Sequence, residues 1–125
     1  MGNAKILIVD NDKSTAKLLQ AILTRSGHAV VGTISSGEEA AENGLTLLPD
    51  LIIMNIQLRG KIDGITTYEQ IKQMRDIPVL FLSRYTDKST IARAMRHKPC
   101  GYLTKPFLIH EFLGKVEKAL AENRT

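Results

Sequence analysis

The sequence predicts an α/β protein in which five parallel strands form one sheet with helices on both of its faces. Three observations lead to this fold class. The chain has 125 residues, a length typical of a single domain. Five short apolar runs lack alternation, as expected of strands covered on both faces, and longer amphipathic stretches separate them. Strands and helices in regular succession favour a parallel sheet joined by right-handed crossovers.

The five apolar runs are rich in Ile, Val and Leu and are the predicted strands. They lie at residues 6–9, 29–31, 51–54, 79–82 and, least clearly, 101–103. Gly27 and Gly44 stand where helices should end or loosen. Pro78 marks a strand start, and Pro106 marks the predicted start of the last helix.

The stretches between the runs have the spacing of amphipathic helices. The first, at residues 13–26, places Ala16, Leu19 and Leu23 along one stripe. The last, at residues 108–122, repeats apolar residues at the same helical spacing. Neither internal repeats nor linker-like segments interrupt the pattern, so we expect a single domain over residues 1–125.

Composition indicates a water-soluble globular protein, with 43% hydrophobic and 24% charged residues. The sequence contains no apolar run of about 18 residues and leaves no room for a signal peptide before the first strand, so we expect a cytoplasmic protein without membrane contact.

Cys100 is the single cysteine, which agrees with a reducing compartment, and we expect a passive core thiol. His28, His97 and His110 lack metal-ligand spacing, and we expect them at the surface or half-buried.

The net charge of +4 is concentrated in one stretch, residues 84–105. Its basic residues are Arg84, Lys88, Arg93, Arg96, Lys98 and Lys105, against the single acid Asp87. Such a patch can neutralise nucleic-acid phosphates, but it is also typical of a solvated helix face or of a surface for an acidic protein. We do not expect direct nucleic-acid binding.

Polar side chains follow four of the predicted strands. In chain order they are Asp10, Asn11, Asp12, Asn55, Gln57, Ser83, Arg84, Thr104 and Lys105. The carboxyl ends of parallel strands meet at one edge of the sheet, where ligands bind in this architecture. Carboxylate and amide oxygens, a hydroxyl and an ammonium together suit Mg²⁺ beside a phosphoryl group.

Five segments carry a resemblance to a known family. Residues 6–12, 51–58, 63–64, 78–83 and 101–107 resemble the receiver domains of bacterial and archaeal response regulators. The resemblance implies a doubly wound, flavodoxin-like (βα)₅ three-layer sandwich with strand order 2-1-3-4-5, two helices on one face and three on the other. It also implies a signalling module of a two-component phosphorelay, not an enzyme, whether it stands alone or is cut from a longer response regulator or hybrid kinase.

The resemblance implies a role for each matching position. Asp10 and Asn11 occupy the places of the family's acidic pair, and Asn55 occupies that of the phosphoacceptor aspartate. Gln57 would lend its backbone carbonyl to the metal. Ser83 is the hydroxyl and Tyr102 the aromatic residue of the switch. Lys105 would contact the phosphoryl group, and the bond to Pro106 is usually cis in the family.

Two of these positions depart from the family pattern. Asn55 cannot act as acceptor, because an amide offers no anionic oxygen to attack phosphorus. Asn11 removes a second carboxylate, and we expect Mg²⁺ binding through Asp10, Asn11, Asn55 and Gln57 to be weak or absent. Asp12 lies one residue after the family's second acidic position, and we expect it to cap the following helix instead. Because clustered carboxylates repel, Asn55→Asp should lower the melting temperature without divalent ions.

Three functions remain open at this point. The first is a receiver in phosphorelay signalling, with a histidine kinase or phosphotransfer protein upstream and an effector bound through the fourth helix, fifth strand and fifth helix. The second is a pseudo-receiver that binds partners independently of phosphorylation. The third, an enzyme or FMN-binding protein, is disfavoured because no phosphate loop rich in Ser and Thr follows the first strand. Asn55 is either a natural departure or a laboratory substitution.

Overall fold

The computed structural model describes residues 3–122. The strands are β1 Lys5–Val9, β2 Ala29–Ile34, β3 Leu51–Met54, β4 Val79–Ser83 and β5 Gly101–Thr104. The helices are α1 Lys13–Arg25, α2 Gly37–Asn43, α3 Gly64–Met74, α4 Lys88–Met95 and α5 Ile109–Glu122, with a short 3₁₀ helix at Gly44–Leu47. No helix within residues 3–122 combines the length and apolarity needed to cross a membrane.

The five strands form one parallel sheet in the order β2-β1-β3-β4-β5, which confirms the predicted topology. β2 is longer than its apolar run indicated, because Gly32, Thr33 and Ile34 also pair with β1. Strand pairing is formed by backbone N–H and C=O groups, so the hydrophobicity of these side chains does not reveal it.

The core has two layers, one on each face of the sheet. Successive strand residues alternate between them: in β1, Ile6 and Ile8 face one layer, whereas Leu7 and Val9 face the other. α1 and α5 close the first layer. Buried side chains of α2, α3 and α4 belong to the second, giving the expected two helices on one face and three on the other.

Aspartate or serine side chains cap the N-termini of four of the helices. Asp12 accepts a hydrogen bond from the Ser14 N–H at the start of α1, as predicted for this residue. Ser36, Asp63 and Asp87 act in the same way at α2, α3 and α4. α5 begins at Ile109, one residue after the predicted start at 108, so Pro106 precedes the helix and does not open it. The Lys105–Pro106 peptide bond is cis, as the resemblance implied.

His28 was wrongly expected near the surface; it is 4% exposed. Its Nδ1 accepts from the Ala4 N–H at 3.3 Å, and its Nε2 lies 2.7 Å from Glu117 Oε2. Both ring nitrogens therefore have hydrogen-bond partners, which offsets the cost of burying the imidazole.

Cys100 is partly buried against the first core layer, and this burial raises the pKa of its thiol to about 11.

Candidate functional site

The carboxyl edge of the sheet gathers the side chains that the sequence pointed to. Asp10 follows β1, Asn55 follows β3, Ser83 ends β4 and Lys105 follows β5. Asp10 is 6% exposed, Asn55 8% and Ser83 0%, so three polar side chains are buried at one place. Buried polar groups are costly without partners, and their hydrogen bonds therefore define the site.

Asn55 lies at the centre of the site and uses both ends of its amide. Its Nδ2 donates to Asp10 Oδ1 at 3.2 Å and to Asn11 Oδ1 at 3.1 Å. Its Oδ1 accepts from the N–H of Ile56 at 2.9 Å. Two acceptors face the nitrogen and one donor faces the oxygen, so the network fixes which way the amide points.

The Asp10 carboxylate is fully engaged. Besides the Asn55 amide, its Oδ1 accepts from the Asp12 N–H at 2.9 Å. Its Oδ2 lies 2.9 Å from Lys105 Nζ, in an ion pair whose side chains are 2% and 9% exposed. A buried carboxylate is stable only when paired, and here an ammonium and two N–H groups provide the pairing.

Ser83 and Tyr102 are joined through the loop between β4 and α4. The Ser83 hydroxyl accepts from the Tyr85 N–H at 3.1 Å. The Tyr102 hydroxyl donates to the Tyr85 carbonyl at 2.8 Å, and burial raises the pKa of this phenol. The two residues expected to form a switch are thus connected by the backbone of Tyr85, for which the sequence gave no signal.

The loop between β3 and α3 is held close to Asn55. Gly64 donates its N–H to the Ile56 carbonyl at 2.7 Å, and a Cβ at Gly64 would lie 2.0 Å from the Asn55 carbonyl oxygen. Only glycine allows this approach. Earlier in the same loop, the Lys61 N–H donates to Glu38 at 2.7 Å, a bond that lowers the pKa of the Glu38 carboxyl.

A cavity of about 430 Å³ opens onto this edge of the sheet. It is lined by Asn11, Asp12, Asn55, Gln57, Ser83, Arg84, Tyr85 and Lys105. Gln57 is exposed at this wall. All seven site residues expected from the sequence therefore lie in or beside one region, with Asp10 and Tyr102 hydrogen-bonded to it.

The donor set at this edge does not fit Mg²⁺. The group facing Asp10 is the NH₂ of Asn55, a hydrogen-bond donor where a cation requires an oxygen. Both Asp10 oxygens already accept from protein donors. Within residues 3–122, no three His, Cys, Asp or Glu side chains cluster in a way that could hold a metal.

A second depression, of about 570 Å³, adjoins the first and shares Arg84 and Lys105 with it. Its apolar floor comes from α1 and from the start of α5, with Leu18 49% exposed and Ile109 52% exposed. Phe107 lines the same depression. We call it the α1–α5 groove; exposed apolar side chains beside a polar site are typical of interaction surfaces.

Comparison with known proteins gives one consistent result. The family model for the response regulator receiver domain matches residues 6–117. The alkaline phosphatase synthesis transcriptional regulatory protein PhoP of Bacillus subtilis is 37% identical over 119 residues, 94% of this chain and 49% of that protein. The transcriptional regulatory protein ZraR of Escherichia coli is 33% identical over 124 residues, 98% of this chain and 28% of that protein. The chain spans half or less of these two relatives.

Solved structures agree with the sequence matches. The signal receiver domain of a modulated diguanylate cyclase from Desulfovibrio desulfuricans superposes with a TM-score of 0.90 at 30% identity, covering 98% of this chain and 97% of that chain. The response regulator domain of CheB from Thermotoga maritima superposes with a TM-score of 0.87 at 25% identity, covering 95% and 97%.

Proposed function

The chain belongs to the response regulator receiver domain family, and we propose that it is a receiver whose phosphoryl switch is blocked at Asn55. Receiver domains are signalling modules of two-component systems and are not themselves enzymes. The proposal treats residues 1–125 as one receiver unit of the cytoplasm, either alone or within a longer response regulator or hybrid kinase. The main support for this proposal is that Asn55 occupies the acceptor position and that both its amide nitrogen and its amide oxygen are hydrogen-bonded within the protein.

The block follows from the chemistry of phosphoryl transfer. In an active receiver, a carboxylate oxygen forms the new bond to phosphorus while the bond from phosphorus to the donor histidine breaks. The Asn55 nitrogen has a delocalised lone pair, and its oxygen carries no formal charge and accepts from Ile56. Neither atom can form a stable acyl phosphate, whatever Ser83 and Lys105 contribute.

The partners of such a receiver would be a histidine kinase or phosphotransfer protein upstream and an effector downstream. The α1–α5 groove supports the first, because an exposed apolar floor and two cations adjoin the acceptor position. For the second we retain the face formed by α4, β5 and α5, where Lys88 and Met95 are exposed.

One observation favours the alternative of a natural pseudo-receiver that signals by binding alone. Asn55 Nδ2 donates to Asn11 Oδ1 at 3.1 Å, so the two amides that replace family carboxylates are partners of each other. Two carboxylates at the same separation would repel. A matched pair of changes is the pattern expected when a site has adapted to loss of its metal.

Intact mass spectrometry distinguishes these possibilities. The chain and its Asn55→Asp variant are treated with acetyl phosphate and Mg²⁺, the chain as given serving as the matched blank. We expect no gain in the parent. A gain of one phosphoryl group in the variant alone would identify a competent receiver blocked at one residue.

The other outcomes are equally informative. If Asn55→Asp also gains nothing while the double variant Asn11→Asp/Asn55→Asp does, both amides disable the site, as expected of a pseudo-receiver. A phosphoryl group on the parent chain would contradict the proposal, and fragmentation would locate the true acceptor.

Thermal unfolding provides an independent test. Asn55→Asp exchanges the bond to Asp10 for a like-charge contact between two buried carboxylates, which costs on the order of 1 kcal/mol or more. We expect a lower melting temperature in EDTA and recovery with Mg²⁺. An unchanged or raised value in EDTA would show that the two side chains are not in contact.

A further inference from the structure

We infer that the outer edge of β2 binds an extended segment of a partner protein in which acidic and basic side chains alternate. The inference goes beyond the proposed function, because it involves neither Asn55 nor a phosphoryl group. β2 is the first strand of the sheet and pairs on one side only, with β1. Within residues 3–122 no strand covers its other side, and an exposed sheet edge is a template for a further strand.

The backbone of Thr33 faces this outer edge. The Ile34 carbonyl accepts from the Asp10 N–H at 2.9 Å, so Ile34 directs its backbone groups towards β1. Neighbouring residues of a strand point their N–H and C=O in opposite directions, which directs those of Thr33 outward. Thr33 is exposed, and its backbone groups are therefore accessible to an added strand.

A register shift limits how much of the edge such a strand can use. At the start of β2 the Ala29 N–H donates to the Ala4 carbonyl, so the outward residue there is Val30. Val31 has no partner in the register with β1 and separates Val30 from Thr33, as a bulge does. An added strand would therefore pair with a short stretch around Thr33, and its affinity would depend on its side chains as well as on its backbone.

The two helices that contact β2 carry opposite charges on opposite faces of the sheet. α1 closes the first core layer, and Ala40 of α2 belongs to the second. The cations of α1 are Lys13, Lys17 and Arg25, with no acid, and the acids of α2 are Glu38, Glu39 and Glu42, with no cation. A strand added at this edge would thus lie between a positive and a negative helix.

Lys13 and Lys17 lie on the side of α1 that faces away from α5. Thr15 lines the α1–α5 groove, and each lysine is two residues, or about 200°, away from it around the helix. Both lysine side chains are exposed. On α2, Glu39 is exposed, whereas Glu38 already accepts a backbone N–H from the loop between β3 and α3. The charges available to a partner are therefore the two lysines on one face and Glu39 on the other.

Alternating charge suits this arrangement because the side chains of a strand alternate between the two faces of a sheet. In a segment of alternating acid and base, every acid would face α1 and every base would face α2. Lysine fits the α2 face in a second way. Leu47 is 37% exposed there and lies over Gly32, so an aliphatic lysine stem can cover Leu47 while its ammonium reaches Glu39.

The same charges disfavour a second copy of this chain as the occupant. Antiparallel pairing of two β2 strands about a two-fold axis perpendicular to the sheet would continue each face into the same face of the other copy. α1 would then adjoin α1, and α2 would adjoin α2, with like charges facing each other. The edge therefore selects a segment of another protein with complementary charge.

The test is an NMR titration of the ¹⁵N-labelled chain with two short peptides of identical composition. In one peptide glutamate and lysine alternate, and in the other all glutamates precede all lysines. Only the alternating peptide can place all of its acids on one face and all of its bases on the other. We expect saturable shifts of the Val30 and Thr33 amides with this peptide, and binding about tenfold weaker with its isomer.

A backbone variant connects the binding to the strand edge. Thr33→Pro removes the outward N–H without removing a bond to β1, and proline is tolerated on edge strands. We expect the variant to keep the native spectrum away from β2 and to lose peptide binding.

Charge variants test the chemistry of the occupant. Lys17→Glu and Glu39→Lys should each weaken binding of the alternating peptide about tenfold. The double variant Lys17→Glu/Glu39→Lys should restore it, because an alternating segment shifted by one residue presents its charges to the opposite faces. Lys118→Glu, at an exposed lysine on α5, is the matched control and should leave the Kd unchanged.

Four results would overturn the inference: no saturable shift at Val30 and Thr33, equal affinity for the two peptides, full binding by a folded Thr33→Pro variant, or indifference to both single charge reversals. Sedimentation of the chain alone is a further check. A dimer that Thr33→Pro dissociates would mean that a second copy, and not a charged partner segment, occupies the edge. None of these results depends on whether Asn55 blocks phosphorylation.

Discussion

α5 and α4 flank β5 in sequence, yet they are held in place by different forces. α5 runs over Ile109–Glu122 and buries four apolar side chains: Phe112, Val116, Ala119 and Leu120. α4 runs over Lys88–Met95 and fully buries only Ala94. Burial of apolar area is thus the main stabilisation of α5 and a minor one for α4.

Polar contacts with α3 take the place of burial in α4. Arg93 pairs with Asp63, the residue that caps α3. Just past the end of α4, Lys72 Nζ donates to the His97 carbonyl at 2.7 Å, and the Tyr68 hydroxyl donates to the Lys98 carbonyl at 3.3 Å. α4 is therefore tied to α3 through its last turn and the residues that directly follow it.

α4 and α5 should therefore differ in how strongly their packing depends on salt and pH. Hydrophobic contacts of α5 depend little on salt or mild acid, whereas partly exposed ion pairs are screened by salt and weakened by protonation. Because we propose α4 as part of the effector face, its attachment to α3 would set how that face responds to its surroundings.

The largest expected effect comes from removing the core side chain of α5. Phe112→Ala should lower the free energy of unfolding by about 3–5 kcal/mol, because it empties a fully buried aromatic position. Met95→Ala on α4 is the comparison variant, and with Met95 44% exposed we expect a change within about 0.5 kcal/mol. Urea unfolding measures both; similar losses would mean that α4 is packed as tightly as α5.

A smaller effect is expected at the tie between α3 and α4. Asp63→Ala removes both the cap of α3 and the pair with Arg93, and should cost about 1–2 kcal/mol. Arg93→Met removes only the pair and should cost about 0.5 kcal/mol or less. If instead Arg93→Met proved as costly as Asp63→Ala, the ion pair and not the cap would be the main contribution of Asp63.

The smallest effect concerns pH and the start of α4. Hydrogen bonds from Thr90 and Ser89 lower the pKa of Asp87 to about 2, against 3.8 for an unperturbed group. A lowered pKa means that the folded state favours the charged form, so this stabilisation is present above about pH 4. It is lost as the pH falls towards 2.

The measurement is the difference in unfolding free energy between the chain and Asp87→Asn, followed from pH 6 to pH 2. We expect a constant difference above about pH 4 and a steady decrease below it. A difference that stays constant down to pH 2 would show that the Asp87 carboxylate contributes nothing through its charge.

Most of the fold could be predicted because its strands are continuous apolar runs. β3 was predicted to the residue, whereas the end of β2 was missed because Gly32 and Thr33 join the sheet by backbone pairing alone. The gathering of Asp10, Asn55 and Lys105 at one edge followed from topology, which brings the ends of parallel strands together.

What could not be predicted depends on side-chain conformation and on distant partners. The sequence does not say that the Asn55 nitrogen points at Asn11, or that Lys105 pairs with Asp10. Burial of His28 requires Glu117, a residue 89 positions away, to accept from its ring. Such pairings emerge only once the helices are packed.

The half-buried thiol of Cys100 makes this chain a convenient subject for labelling. With its pKa raised to about 11, the thiol stays protonated at neutral pH and reacts slowly with maleimides or nitroxide reagents. A second cysteine introduced at the exposed Met95 would be modified first, without removing the native one. A spin label or fluorophore could then report the position of α4 directly, in a protein that is otherwise unaltered.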